Sequence, residues 1–221
     1  GSDEADIAFL ATFAYIMAHQ KYNAQVELTT VRNNLSRYRG QFVAQNGTNI
    51  NDIKDIQDKT IAYTDAASTS GFIYPSAILK KNNIVPKKEI MAGGHPQAIL
   101  AVYEGNADVA CTYWSPENEG IPQDARNAVA ETHPDVYQKV KIIGFTDWIP
   151  NDTVTFREKF PKALKDKIVN SLLKYAKDPE GKKELKALYQ IDDFIVSQDS
   201  DYDIVRSTLQ TLGMDANDLF K

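Results

Sequence analysis

Two short polar stretches hold most of the residues able to do chemistry in this chain, and each sits where an apolar run gives way to a helical pattern. The first is Asp65-Ala66-Ala67-Ser68-Thr69-Ser70-Gly71-Phe72. Three hydroxyl residues meet the first turn of a helix, whose unpaired N–H groups and dipole already favour an anion. Gly71 adds the freedom for close backbone approach. A plain helix cap also uses Ser or Thr, but it needs only one such residue, so three in a row point further, to an oxyanion. The second stretch is Met91-Ala92-Gly93-Gly94-His95-Pro96. Pro96 suits a first helical turn, the glycines let backbone face a ligand, and the His95 imidazole either caps the helix or donates to an oxyanion.

Elements must bring these stretches together. Short apolar runs alternate with helical periodicity nearly throughout, which predicts an α/β protein with mainly parallel sheets. A first set has strands at 7–10, 26–31 and 38–44 and a helix at 12–19. A second set has strands at 60–65, 89–92, 107–113 and 140–145, helices at 70–80 and 95–103, and an exit strand near 153–157. Beyond Phe160 the chain reads as helical: Leu164, Ile168, Leu172 and Tyr175 recur at turn spacing, as do Tyr202, Val205, Leu209 and Leu212. Both polar stretches then fall at the carboxyl edge of one sheet, where α/β proteins bind ligands.

The polar segment 45–49 marks a lobe boundary, and a return crossing is expected near 148–151. This divides the chain into lobe 1, residues 1–45 and 151–221, and lobe 2, residues 46–150. The sequence enters directly on an apolar strand at Ile7, which leads us to expect that the opening of lobe 1 is absent.

Bulk properties narrow the function. The 221 residues are 43% hydrophobic and 25% charged with a formal charge of −5, and the basic residues are scattered, which disfavours a nucleic-acid or membrane-attracting face. Cys111 is the single cysteine, so no disulfide or thiolate metal set is expected, and it reads as a buried small hydrophobe. His19, His95 and His133 share no turn with one another, and we assign no metal and no cofactor. With no membrane-length apolar stretch and no basic-then-apolar leader, the chain is expected to be soluble and, if exported, already processed.

The order Asp6-Ile7-Ala8-Phe9-Leu10, Tyr38, Ser68-Thr69-Ser70-Gly71, Gly94-His95, Asp108 and Ile149-Pro150-Asn151-Asp152 resembles the phosphonate-binding family of ABC-importer receptors, the PhnD-like group. The similarity runs from Asp6 to about Val205. It implies a type II periplasmic-binding-protein fold, two Rossmann-like lobes joined by two hinge crossings, with a phosphonate, phosphite or phosphate held between them. The first lobe would lack the family's amino-terminal βαβα unit. By position, Ser68, Thr69, Ser70 and His95 match the contacts to phosphonate oxygens, and Tyr38 the tyrosine that closes from the first lobe. Tyr38 is alternatively an aromatic that only packs. Asp152 matches a hinge-side carboxylate, which beside an anion must meet a shared proton or a ligand cation. Its other reading is a polar turn residue after Pro150. Amino-phosphonate receptors carry an acid after the strand that here ends at Tyr113. The nearest match is Ser115, which shifts the expectation to ligands without an amine. Tyr113 and Trp114 either narrow the pocket or pack.

The implied partners are a small phosphorus oxyanion and a membrane permease, with a monomeric receptor that is periplasmic, or lipid-anchored as a lipoprotein in a Gram-positive source. Two other classes compete. A ligand-sensing module would use the same clamp. A Ser/His hydrolase would need Ser68 or Ser70 as nucleophile, His95 as base and Asp152 as orienter. The chain has no Gly-x-Ser-x-Gly elbow, and a hinge carboxylate is badly placed to orient an imidazole on the opposite lobe. We expect no catalysis.

Overall fold

The computed structural model describes residues 5–213. They fall into two units, one formed by the residues up to Arg37 with Pro150–Ser207, the other by Tyr38–Ile149 with the residues from Thr208. The expected boundary at 45–49 is thus displaced to the Arg37–Tyr38 bond. Beyond the two expected crossings, the chain passes between the units a third time after Ser207.

In the first unit, β1 (Ile7–Leu10), α1 (Thr12–Tyr22) and β2 (Gln25–Val31) open the chain. Asn23, in the left-handed region at φ 53°, ends α1. In the second unit the order is β3 (Arg37–Gln45), β4 (Thr60–Tyr63), α2 (Tyr74–Lys81), β5 (Lys88–Met91), α3 (His95–Tyr103), β6 (Val109–Asn118), β7 (Ile121–Asp124), α4 (Val136–Lys139) and β8 (Val140–Pro150). The chain then returns through β9 (Thr153–Phe156), α5 (Lys162–Tyr175), α6 (Pro179–Tyr189), β10 (Asp193–Val196) and α7 (Asp203–Leu212).

The first unit's sheet has the order β1-β9-β2-β10, and each neighbouring pair is antiparallel. That corrects the expectation of mainly parallel sheets. The returning β9 inserts between β1 and β2, so two strands of one direction never touch. Leu28, Val154, Phe156 and Phe194 form its core with Leu185 of α6 and the partly buried Ile168 and Leu172 of α5. Leu164 and Tyr175, the outer members of that helical stripe, are exposed.

The second unit's sheet runs β5-β4-β6-β3-β8, with β7 paired to β6. Its β5, β4 and β6 are parallel, while β3 is antiparallel to β6. Strand alternation sorts the side chains into two cores. Val43, Ala62 and Ala110 meet Ala98, Ile99 and Val102 of α3 on one face. Phe42, Ile61, Tyr63, Val109 and Cys111 meet Leu79 of α2 on the other. Cys111 is fully buried there, and desolvation pushes its thiol well above the usual range, as suits a packing residue. Strand β6 runs past Tyr113 because Glu119 and Gly120, both left-handed at φ 52° and 77°, turn it into β7. A two-residue loop of that kind matches the twist of a hairpin.

Candidate functional site

Strands β4 and β5 lie side by side in register, Tyr63 opposite Met91, and both end at the same edge of the second unit's sheet. The turns that follow are fastened together. The Ala92 N–H donates to the Tyr63 carbonyl at 2.8 Å, and the Gly93 N–H to the Thr64 carbonyl at 2.8 Å. The two polar stretches singled out in the sequence therefore form one local structure.

The first turn is built by short-range polar bonds. Asp65 accepts from the Ala67 N–H at 3.0 Å, the Ser68 N–H donates to the Asp65 carbonyl at 3.2 Å, and Ser68 Oγ accepts from the Gly71 N–H at 3.0 Å. Ile73 N–H reaches back five residues to the Ser68 carbonyl at 3.0 Å, a wide turn that precedes α2. Such turns concentrate at functional sites. Thr69 and Ser70 are buried in that first turn, where their N–H groups have no carbonyl partner inside the helix. Ser68 spends its oxygen on the cap, so of the triplet it is Thr69 and Ser70 whose hydroxyls make no hydrogen bond to the described residues.

Close packing fixes this turn from two sides. A methyl on Gly71 would lie 2.0 Å from Thr64 Oγ1, and one on Gly40 of β3 would lie 2.8 Å from the Ser70 carbonyl oxygen. Gly40 also donates its N–H to Thr146 Oγ1 at 2.8 Å, which ties β3 to β8 at this level. Sequence reasoning missed Gly40, Thr64 and Thr146. The Gly40 of Arg37-Tyr38-Arg39-Gly40 was the one available signal, since a glycine inside a strand marks a close approach of another backbone.

His95 opens α3 after Gly94, with Gly93 in the left-handed region at φ 90°. Its ring meets Tyr113 edge-on, centroids 4.9 Å apart, and Tyr113 is the cross-strand partner of Gly40. Nδ1 of His95 is buried without a hydrogen-bond partner. Burial pushes the imidazole down to about 4, with Asp65 partly offsetting it, so the ring is neutral near pH 7. An enclosed bare lone pair is tolerated better than an enclosed N–H. That favours the tautomer with the proton on Nε2. Among the described residues no carboxylate bonds Nδ1.

The second unit therefore brings together Ser68, Thr69, Ser70, His95 and Tyr113. Ser115 follows two residues beyond Tyr113 and pairs with Gln123 across the β6–β7 hairpin. Tyr38, expected to belong to the first lobe, is instead the first residue of this unit, since the strand that carries it pairs with β6 and β8. Asp152 belongs to the other unit, and its Oδ2 accepts from Arg32 Nη2 at 3.0 Å. Its counter-charge is already supplied within the chain. The neighbouring Asn151 is buried and holds the crossing: its Nδ2 donates to the carbonyls of Thr30 at 3.1 Å and Leu35 at 2.9 Å. Among the described residues there is no cluster of His, Cys, Asp and Glu fit for a metal ion, and no helix long and apolar enough to cross a membrane.

The family model for ABC transporter, phosphonate, periplasmic substrate-binding proteins matches residues 1–202. The chain belongs to this family. The family is one of substrate-binding transport proteins and works outside the cytoplasm. The chain is 29% identical over 194 residues to the phosphonates-binding periplasmic protein of Escherichia coli K12, covering 84% of this chain and 55% of that protein. It is 30% identical over 122 residues to the phosphate-import protein PhnD of Mycolicibacterium smegmatis, covering 49% of this chain and 38% of that one. The chain thus spans about half the length, or less, of these relatives. A binding protein component of an ABC phosphonate transporter from Pseudomonas aeruginosa superposes with a TM-score of 0.76 at 25% identity, covering 95% of this chain and 70% of that structure. The family's architecture is the type II periplasmic-binding-protein fold anticipated from the sequence.

Proposed function

We propose that this chain captures a small phosphorus oxyanion, a phosphonate, phosphite or phosphate, as the receptor of an ABC importer, and performs no chemistry on it. The observation that carries the reading is the pair of strand-to-helix turns fastened to each other at the edge of one sheet. Thr69 and Ser70 would donate through N–H and O–H groups, and His95 through Nε2–H. All are neutral donors, held by packing before any ligand arrives, so they can replace the water shell of an anion inside an acidic protein. Tyr38 and Tyr113 would bound the substituent. Because Asp152 is met by Arg32, a ligand amine gains little from it, which favours compact ligands without an amine. The names of the relatives in Escherichia coli and Mycolicibacterium smegmatis agree with this class. In this reading the ligand passes to a membrane permease, from the periplasm or from a lipid-anchored receptor in a Gram-positive source.

Calorimetry against phosphate, phosphite, methylphosphonate and 2-aminoethylphosphonate tests it. At least one of the first three should bind more tightly than the amine. Ser70→Ala should weaken that binding by about 1–3 kcal/mol, the range for a lost charge-assisted bond, with the unfolding midpoint unchanged. Undiminished affinity in Ser70→Ala and Thr69→Val together would remove this turn from the site.

A further inference from the structure

Arg39 sits in an aromatic box that the oxyanion reading does not use. Its guanidinium carbon lies 5.0 Å from the ring centre of Phe145 and 5.5 Å from that of Trp148. Trp114, directly opposite Arg39 across the β3–β6 pair, packs on both rings at 4.7 and 6.4 Å. All four residues belong to the second unit and are half-buried. Alternation along β3 turns Arg39 to the face opposite Gly40, and it is Gly40 that looks toward Ser70. The box is therefore separate from the serine turn.

Among the described residues the charge of Arg39 has no carboxylate partner. Nε donates to the Thr146 carbonyl at 2.6 Å, while the remaining guanidinium N–H groups make no hydrogen bond or ion pair with the described residues. Asp124, which pairs with Trp114 across the hairpin, is already occupied. It accepts from Arg126 Nε at 3.0 Å and Nη2 at 2.8 Å, and from Gln41 Nε2 at 3.4 Å. Asp147 is exposed, and no ion pair joins it to Arg39 among the described residues. A guanidinium packed over aromatic rings, with its outer N–H groups unbonded among the described residues, is suited to take a carboxylate in bidentate fashion. Trp, Phe and Arg gathered at one half-exposed spot also make the composition of an interface centre. A small free anion would use only the fork; a peptide also covers the rings.

We propose that the Arg39–Trp114–Phe145–Trp148 box is a docking site for an acidic segment of a partner protein, whose carboxylate pairs with Arg39 and whose apolar neighbours cover the tryptophans. The chain's two tryptophans both lie in the box, so intrinsic tryptophan emission reports on it alone. The probes are a synthetic peptide alternating Glu and Leu and its Gln-for-Glu and Lys-for-Glu counterparts. The acidic peptide should change the emission saturably, the Gln form should bind at least tenfold more weakly, and the Lys form should not bind. Arg39→Ala should weaken the acidic peptide at least tenfold. If that variant does not fold, as judged by circular dichroism, the peptide charge series decides alone. Equal responses to all three peptides, or none, overturn the proposal. So does emission that depends on protein concentration alone and tracks dimer formation in sedimentation, which assigns the box to a second copy of the chain. Competition by methylphosphonate would merge the box with the oxyanion site and also overturn it, whereas calorimetric failure of oxyanion binding leaves it standing.

Discussion

Gly71→Ala is the substitution for which the structure gives the sharpest expectation. The added methyl would lie 2.0 Å from Thr64 Oγ1, 2.7 Å from Thr64 Cγ2 and 2.9 Å from Ser68 Oγ. Thr64 is fully buried and cannot swing into solvent, so the turn must move. Overpacking of this kind costs about 1–3 kcal/mol. Two of the three clashes belong to Thr64, whose hydroxyl is buried without a partner. Thr64→Ala by itself removes that hydroxyl, a gain of about 1–3 kcal/mol, and a methyl, a loss of about 1 kcal/mol, and should fall near neutral or stabilise slightly. The double variant keeps only the Ser68 contact and should recover at least half the loss, a coupling of about 1–2 kcal/mol. Denaturant midpoints of the four proteins measure this cycle. Calorimetry on the same four should give at least a tenfold loss of oxyanion affinity in Gly71→Ala, restored in step with stability. Wild-type stability in Gly71→Ala, or a double variant no better than the single, would refute the packing argument.

Three further outcomes follow from other contacts. His95 titrates near 4 in the fold against about 6.5 when unfolded, so the unfolded chain takes the proton first and stability should fall as pH drops from 6.5 to 4 and stay flat above. His95→Gln should flatten that slope in pH-dependent denaturation. Asp124→Ala strands the mostly buried Arg126, which then lacks both its 2.8 and 3.0 Å bonds, and should destabilise by about 3–5 kcal/mol by chemical denaturation. Asn151→Ala removes the side-chain donor to the Thr30 carbonyl and one of the two donors to the Leu35 carbonyl, which keeps the Arg32 N–H at 2.8 Å, and should cost about 1–3 kcal/mol by the same measurement.

Much of this was legible in the residues because local rules decided it. The start of α3 at His95 followed from Gly94 and Pro96, and the serine turn from hydroxyls set between an apolar run and a helical period. What periodicity does not carry is the partner of a strand. The alternation of strands and helices read as mainly parallel sheets, yet β9, more than a hundred residues after β2, lies between β1 and β2 and runs antiparallel to both. The same blindness put Tyr38 in the wrong unit: the turn-forming segment after Gln45 looked like a boundary, whereas the pairing of β3 with β6 and β8 holds that strand in the second unit. Arg32 as the partner of Asp152 was equally out of reach, since the two are 120 residues apart.

The electrostatics of the candidate site bear on how it selects its ligand. His95 is neutral near pH 7, the acid beside it, Asp65, caps its own turn, and the chain as a whole is acidic. A site that drew its affinity from formal charge would tolerate small displacements, because Coulomb attraction falls off slowly with distance. One built from N–H and O–H dipoles does not, since a hydrogen bond weakens steeply once its angle bends. On the proposed reading the glycines at 40 and 71 have a functional reason: each admits a contact that a methyl would break, and those contacts would aim the donors of Thr69 and Ser70. Affinity and local packing should accordingly fail together at this turn. A variant that loosened the packing while leaving oxyanion binding intact would mean that charge, and not aimed dipoles, holds the ligand.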